Sequence, residues 1–225
     1  MFHVKHKSVP DVIAAAHERR TDGCCPNSDT GDMKLGQWLL GYFRAKCAPQ
    51  NPRYAGTDCK RRRLWSYLRA GWVMTGGDAL TNVFDVAAYI LKKGGRMSTM
   101  KLQKLVYYSQ AWSLVWDDGA MFKEKIRAWA GGPVVVELFK EMQGRFEASG
   151  LARGDPKKVN KDARETIDAV LEFYGPKSGQ WLSDLTHKER PWREAREREG
   201  VADGDRGNAE ITLEAMADYY GGLSA

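Results

Sequence analysis

From residue 82 onward, apolar residues recur at helical spacing in runs separated by Gly, Pro, Asn, Ser and Thr. The first run predicts a helix over 82–93 with Thr81 as its N-cap, because Val83, Val86, Ala87 and Ile90 share one face. Gly94-Gly95 ends it, glycine being tolerant of the left-handed C-cap conformation. Ser98 or Thr99 caps the strongest helix, 99–116. At roughly 100° per residue, Leu102, Leu105, Val106, Ser109, Trp112, Ser113 and Trp116 fall on one arc, with Tyr108, Ala111 and Val115 beside it. Gln103, Tyr107 and Gln110 fall opposite. A helix apolar round most of its girth is expected to be central and buried, and Asp117-Asp118-Gly119 terminates it.

The period then changes. Ile126, Ala128 and Ala130 alternate with Lys125, Arg127 and Trp129, which predicts a short strand or extended segment, followed by a turn at Gly131-Gly132-Pro133. Helical spacing returns over Val134–Phe146, with Val135, Leu138, Phe139 and Met142 together. A polar loop spans 147–158, and Asn160 caps a helix over 161–174 that Gly175-Pro176 stops. Ser178 begins a helix over 179–187, and Pro191 suits the first turn of one reaching about residue 198. After a polar loop over 199–208, Thr212 caps the last helix, which Gly221-Gly222 ends.

Residues 1–73 lack this order. They offer two short amphipathic stretches, 11–20 and 35–46, set among turn formers and charge. Two such pieces bury too little area to offset the ordering entropy of the segment. The fold class expected is therefore mainly α: a single compact helical domain over 74–225 with a short extended or β element, preceded by a largely irregular N-terminal extension over 1–73. Met74, at the head of the ordered pattern, is a candidate native start.

Charge sharpens the boundary. The whole chain carries +6. Residues 1–73 hold 13 Lys and Arg against 6 Asp and Glu, net +7, and residues 74–225 hold 22 against 23, net −1. All four cysteines (Cys24, Cys25, Cys47, Cys59) lie in the extension. Their spacing does not give the paired C-x2-4-C of a zinc module, and a reducing cytoplasm disfavours disulfides. The Lys60-Arg61-Arg62-Arg63 run reads as a solvated basic stretch or as a nucleic-acid contact. No run of 18 apolar residues predicts a membrane span, and Met1–Pro10 has no signal-peptide pattern, so a cytoplasmic location is expected.

The domain shows no catalytic set. It has no cysteine, a single histidine (His187) and no phosphate-loop, dinucleotide or zinc-protease motif. Ser183 and His187 share a helix face, but no oxyanion-hole motif accompanies them. Asp117-Asp118 followed by Gly reads as a turn. No enzyme activity, cofactor or metal is expected. The domain is rich in Trp and Tyr, the residues that dominate interface hot spots. With net −1 and no basic face, a nucleic-acid role for 74–225 is disfavoured.

The run Met100-Lys101-Leu102-Gln103-Lys104-Leu105-Val106-Tyr107-Tyr108-Ser109-Gln110-Ala111-Trp112 resembles the leading helix of the Panacea domain, the SocA-like antitoxin family of phage and bacterial genomes. Phe122, Ala128-Trp129 and Gly132-Pro133-Val134-Val135 are similar to its second block. Leu182, Thr186-His187, Pro191-Trp192 and Ala195 are similar to its third. Gly131 departs from the pattern, where a larger residue is usual, and residues 1–73 have no counterpart. The resemblance implies a mainly helical, non-enzymatic antitoxin that binds a toxin from a neighbouring gene, in one reported mode by delivering it to a protease. Tyr107, Trp129, Pro133 and Trp192 are the candidate toxin-binding anchors, and core packing is the competing role for each. The alternative function is a DNA-binding transcriptional regulator that uses the basic N-terminal segment.

Overall fold

A computed structural model describes residues 81–202 and 204–223. The boundary after residue 73, the cysteines, the basic run and the Met74 start all lie outside the described residues.

Seven helices and five short strands make up the described part. In chain order they are α1 (Val83–Gly94), β1 (Met97–Ser98), α2 (Thr99–Trp116), β2 (Ile126–Trp129), β3 (Gly132–Val135), α3 (Val136–Glu141), β4 (Glu147–Ala148), α4 (Lys161–Tyr174), α5 (Gly179–Lys188), α6 (Arg190–Arg198), β5 (Glu210–Ile211) and α7 (Leu213–Leu223). The mainly α expectation with a small β element is therefore met.

Helix α2 is the axis of the fold, as its apolar girth predicts. Helices α1, α4, α5 and α7 and strand β3 all pack on it. Leu102, Leu105, Val106, Tyr108, Ala111 and Trp112 are fully buried along its length, and each such large side chain contributes roughly 1.5–3 kcal/mol by leaving water. Serine and asparagine caps set the starts: Ser98 Oγ accepts from Lys101 N on α2, Asn160 Oδ1 from Ala163 N on α4, and Ser178 Oγ from Trp181 N on α5. For α1 the cap is Asn82, not Thr81. Its side chain accepts from Phe84 N, and Thr81 is buried one residue upstream.

Two expectations are corrected. The helix expected over Val134–Phe146 shrinks to α3, because Gly132–Val135 is a strand. Strands β2 and β3 form an antiparallel hairpin in which Ile126 faces Val135 and Trp129 faces Gly132. Ala130-Gly131 is the turn, and Gly132-Pro133 belongs to the strand. The apolar period of 134–142 is real, but Val134-Val135 are β-branched and have a partner strand waiting, so pairing wins over helix. The last helix does not stop at Gly221-Gly222 but runs to Leu223.

Strands β1, β4 and β5 had no sequence signal. Strand β5 adds to β2, giving the order β3-β2-β5, and β1 pairs with β4 through Met97–Ala148 and Ser98–Glu147.

Candidate partner-binding face

Most residues of the sequence motifs are inside the molecule, where they hold backbone. Strand β3 is an edge of its sheet, and the side chain of Gln103 closes that edge like another strand. Its Nε2 donates to Val135 O at 3.3 Å, and Val135 N donates to its Oε1 at 2.9 Å. Lys104 Nζ donates to Pro133 O at 3.1 Å. Two turns along α2, Gln110 Oε1 accepts from Met121 N and Phe122 N, and its Nε2 donates to Phe122 O. Gln103, Lys104 and Gln110 thus satisfy backbone groups that burial would otherwise strand.

Lys104 is almost wholly buried. Burial pushes its amine down from the ordinary 10.5 to about 7. It sits against Gly132: a Cβ there would lie 2.7 Å from Nζ and 2.8 Å from Thr186 Oγ1, and Gly132 has φ +98°. Only glycine fits that close approach. Thr186 is fully buried and donates to Ser183 O.

A second polar group lies deeper. Glu189 Oε2 accepts from Tyr220 at 2.6 Å and from Tyr108 at 3.4 Å, and the Tyr220 hydroxyl is 3.3 Å from that of Tyr107. Burial first, and the Glu189 charge next, hold the Tyr220 hydroxyl well above its ordinary pKa. Tyr174 stacks on Tyr108 at 4.1 Å, and Trp112 donates to the Tyr174 hydroxyl.

These placements bear on the four candidate anchors. Tyr107 does not lie on an outer face of α2: it is 1% exposed, because α7 covers the side opposite the main arc and brings Tyr220 against it. Pro133 is buried, and Trp192 is 4% exposed with its indole N–H donating to Trp129 O at 3.0 Å. Trp129 alone is half-exposed; it donates to Asn208 Oδ1 and meets the Phe139 ring edge-on at 4.9 Å.

The remaining motif residues are also structural. Leu102, Leu105 and Trp112 are fully buried, Val134 and Pro191 are buried, and Lys101 Nζ donates to Gly175 O at 2.6 Å. His187 stacks on Trp192 at 4.3 Å. Ser183 Oγ donates to Gly131 O at 3.1 Å. Ser183 and His187 therefore work on different neighbours. Among the described residues no group of three His, Cys, Asp or Glu could hold a metal ion.

Among the described residues four large apolar side chains are exposed: Phe146 at 92%, Phe139 at 40%, and Met100 and Trp181 at 38%. Three of them, Phe146, Met100 and Trp181, belong to segments that meet at the start of α2. Thr99 N donates to Phe146 O at 3.0 Å, which sets the Phe146 backbone beside the start of α2, one residue before Met100. Helix α5 begins against the same turn, since a Cβ on Gly179 would lie 3.2 Å from Ser98 Oγ and 3.4 Å from Lys101 Cβ. Trp181 stands two residues on, with Lys177 Nζ over its ring at 5.1 Å. The hairpin turn reaches α5 through Ser183, and Trp129 links it to Phe139 on α3. No sequence signal marked Phe146, Met100 or Trp181: Phe146 closes a helical pattern that the chain does not adopt, and the other two lie in helices whose apolar faces were assigned to the core.

Residues 102–193 match the family model of the antitoxin SocA-like, Panacea domain. The Panacea match runs from the first turn of α2 into α6 and so includes the hairpin, α3 and α5. It leaves out α1 and α7, which complete the packing around α2. The resemblance read from the three motif blocks is borne out over that stretch. No curated protein and no solved structure matches the chain. No helix among the described residues is long and apolar enough to cross a membrane.

Proposed function

We propose that this protein is an antitoxin that neutralises a toxin encoded by a neighbouring gene, by binding it directly. The Panacea match over 102–193 carries this reading. The exposed apolar residues at the start of α2 supply a surface for it: desolvating a few aromatic and apolar anchors is the usual source of interface affinity. Phe146, Met100 and Trp181 form that surface, and Trp129 and Phe139 offer a further exposed aromatic pair. Tyr107, Pro133 and Trp192 act behind it, holding the hairpin and the Tyr–Glu189 cluster in place.

Co-expression tests the reading. The neighbouring gene expressed alone should arrest growth, and co-expression of this chain should restore it, with the two proteins co-purifying. A neighbouring product that is harmless alone would sink the proposal. Toxin levels followed after co-expression separate the two modes: stable toxin in the complex means occlusion, and falling toxin means delivery to a protease.

A further inference from the structure

We infer that the molecule held at the start of α2 is a protein whose contacting surface is acidic around an apolar socket that receives Phe146. This rests on the antitoxin reading and adds the chemistry of the partner.

Three cations border the exposed side chains. Arg145 precedes Phe146, Lys101 follows Met100, and Lys177 lies over Trp181. Among the described residues none of the three forms an ion pair with a carboxylate. Of the acidic groups nearby, Glu147 is paired with Arg96, and Asp184 keeps its charge while accepting from the neutral amide of Gln180, which leaves three cations against one carboxylate. In a domain of net charge −1, this end therefore carries a local positive surplus around its most exposed apolar residues. A rim of one sign around an apolar centre selects a partner of the other sign and speeds its encounter.

Other occupants fit less well. The chain's own residues 1–73 carry +7, a poor charge match for this rim. A second copy docked face to face would set Lys101, Arg145 and Lys177 against themselves, which costs rather than gains. Nucleic acid is held mainly through many phosphate contacts, and three cations interspersed with Phe and Met make a poor track for a backbone.

The test uses the full chain and the purified product of the neighbouring gene, with association and dissociation followed at about 50 mM and about 500 mM salt, concentrations that bracket strong and weak screening. Arg145→Glu/Lys177→Glu should slow association about tenfold at low salt and much less at high salt. Phe146→Ala should speed dissociation roughly tenfold or more, with little change in association. Both variants alter exposed side chains, and unchanged helicity and melting confirm that they fold. If the neighbouring product is not toxic, the antitoxin reading fails and takes this inference with it. If it is toxic and neutralised, yet both variants bind like the parent chain, this inference alone fails.

Discussion

Lys104 is the residue whose chemistry the fold alters most. Its amine titrates near 10.5 in the unfolded chain and at about 7 in the folded one. Between those values the unfolded chain binds more protons, so stability rises with pH across that window; below 7 both states hold the proton and the cost of burial is felt in full. The full shift corresponds to an effect on the order of 5 kcal/mol. Lys104→Met keeps the length and removes the charge. Thermal melts of the two proteins should therefore converge or cross as pH is raised from about 6 to about 9, with the variant relatively more stable at the acid end. Parallel curves would show that Lys104 is already neutral or hydrated. Gly132 is coupled to the same site. Gly132→Ala places a methyl on Lys104 Nζ and Thr186 Oγ1 at a positive φ, and urea denaturation should register a loss of roughly 2 kcal/mol or more. Tyr107→Phe removes a buried hydroxyl 3.3 Å from Tyr220. A loss of about 1 kcal/mol is expected, with binding of the partner unchanged; weakened binding at full stability would return Tyr107 to the contact surface.

At the scale of elements, α2 and the β2–β3 hairpin depend on each other. The hairpin offers an open edge and Gln103 closes it. Gln103→Ala leaves the N–H and C=O of Val135 without that partner, at an expected cost of about 2–3 kcal/mol. Amide exchange should show the effect at Val135 first, and unaltered protection there would refute the clamp. The same pair of elements shows where reading the sequence succeeds and stops. Helices α2 and α4 have the bounds their periodicity and caps predict, because both signals are local. The helix read over 134–146 is too long because its period suits a helix, whereas pairing with Ile126–Trp129, three to nine residues upstream across a turn, depends on a second segment. The pairing of β1 with β4 joins two-residue pieces some fifty positions apart and leaves no pattern at all.

At the scale of the whole molecule, the buried motif residues and the exposed apolar end divide the work. The motif residues build most of the scaffold; of the exposed apolar residues, Phe139, Phe146 and Trp181 lie between the motif blocks, and Met100 and Trp129 lie within them. The compositional step near residue 73 leads to one more expectation. A chain beginning at Met74 should melt cooperatively and bind the neighbouring product as the full chain does. Loss of binding with the fold retained would place part of the contact in residues 1–73.

The sequence by itself determined the resemblance to the Panacea domain across its motif blocks, the mainly helical class, the central helix and most of the caps, since these follow from periodicity, from capping chemistry and from motif order within short windows. It also showed Tyr107 as the outlier of α2, opposite the main arc. Only the tertiary structure decided what covers that side: α7, which returns more than a hundred residues later and buries it. The same holds for Phe146. Its apolar character was legible, but its exposure was not, because exposure depends on which elements pack over a position and not on the residue that occupies it.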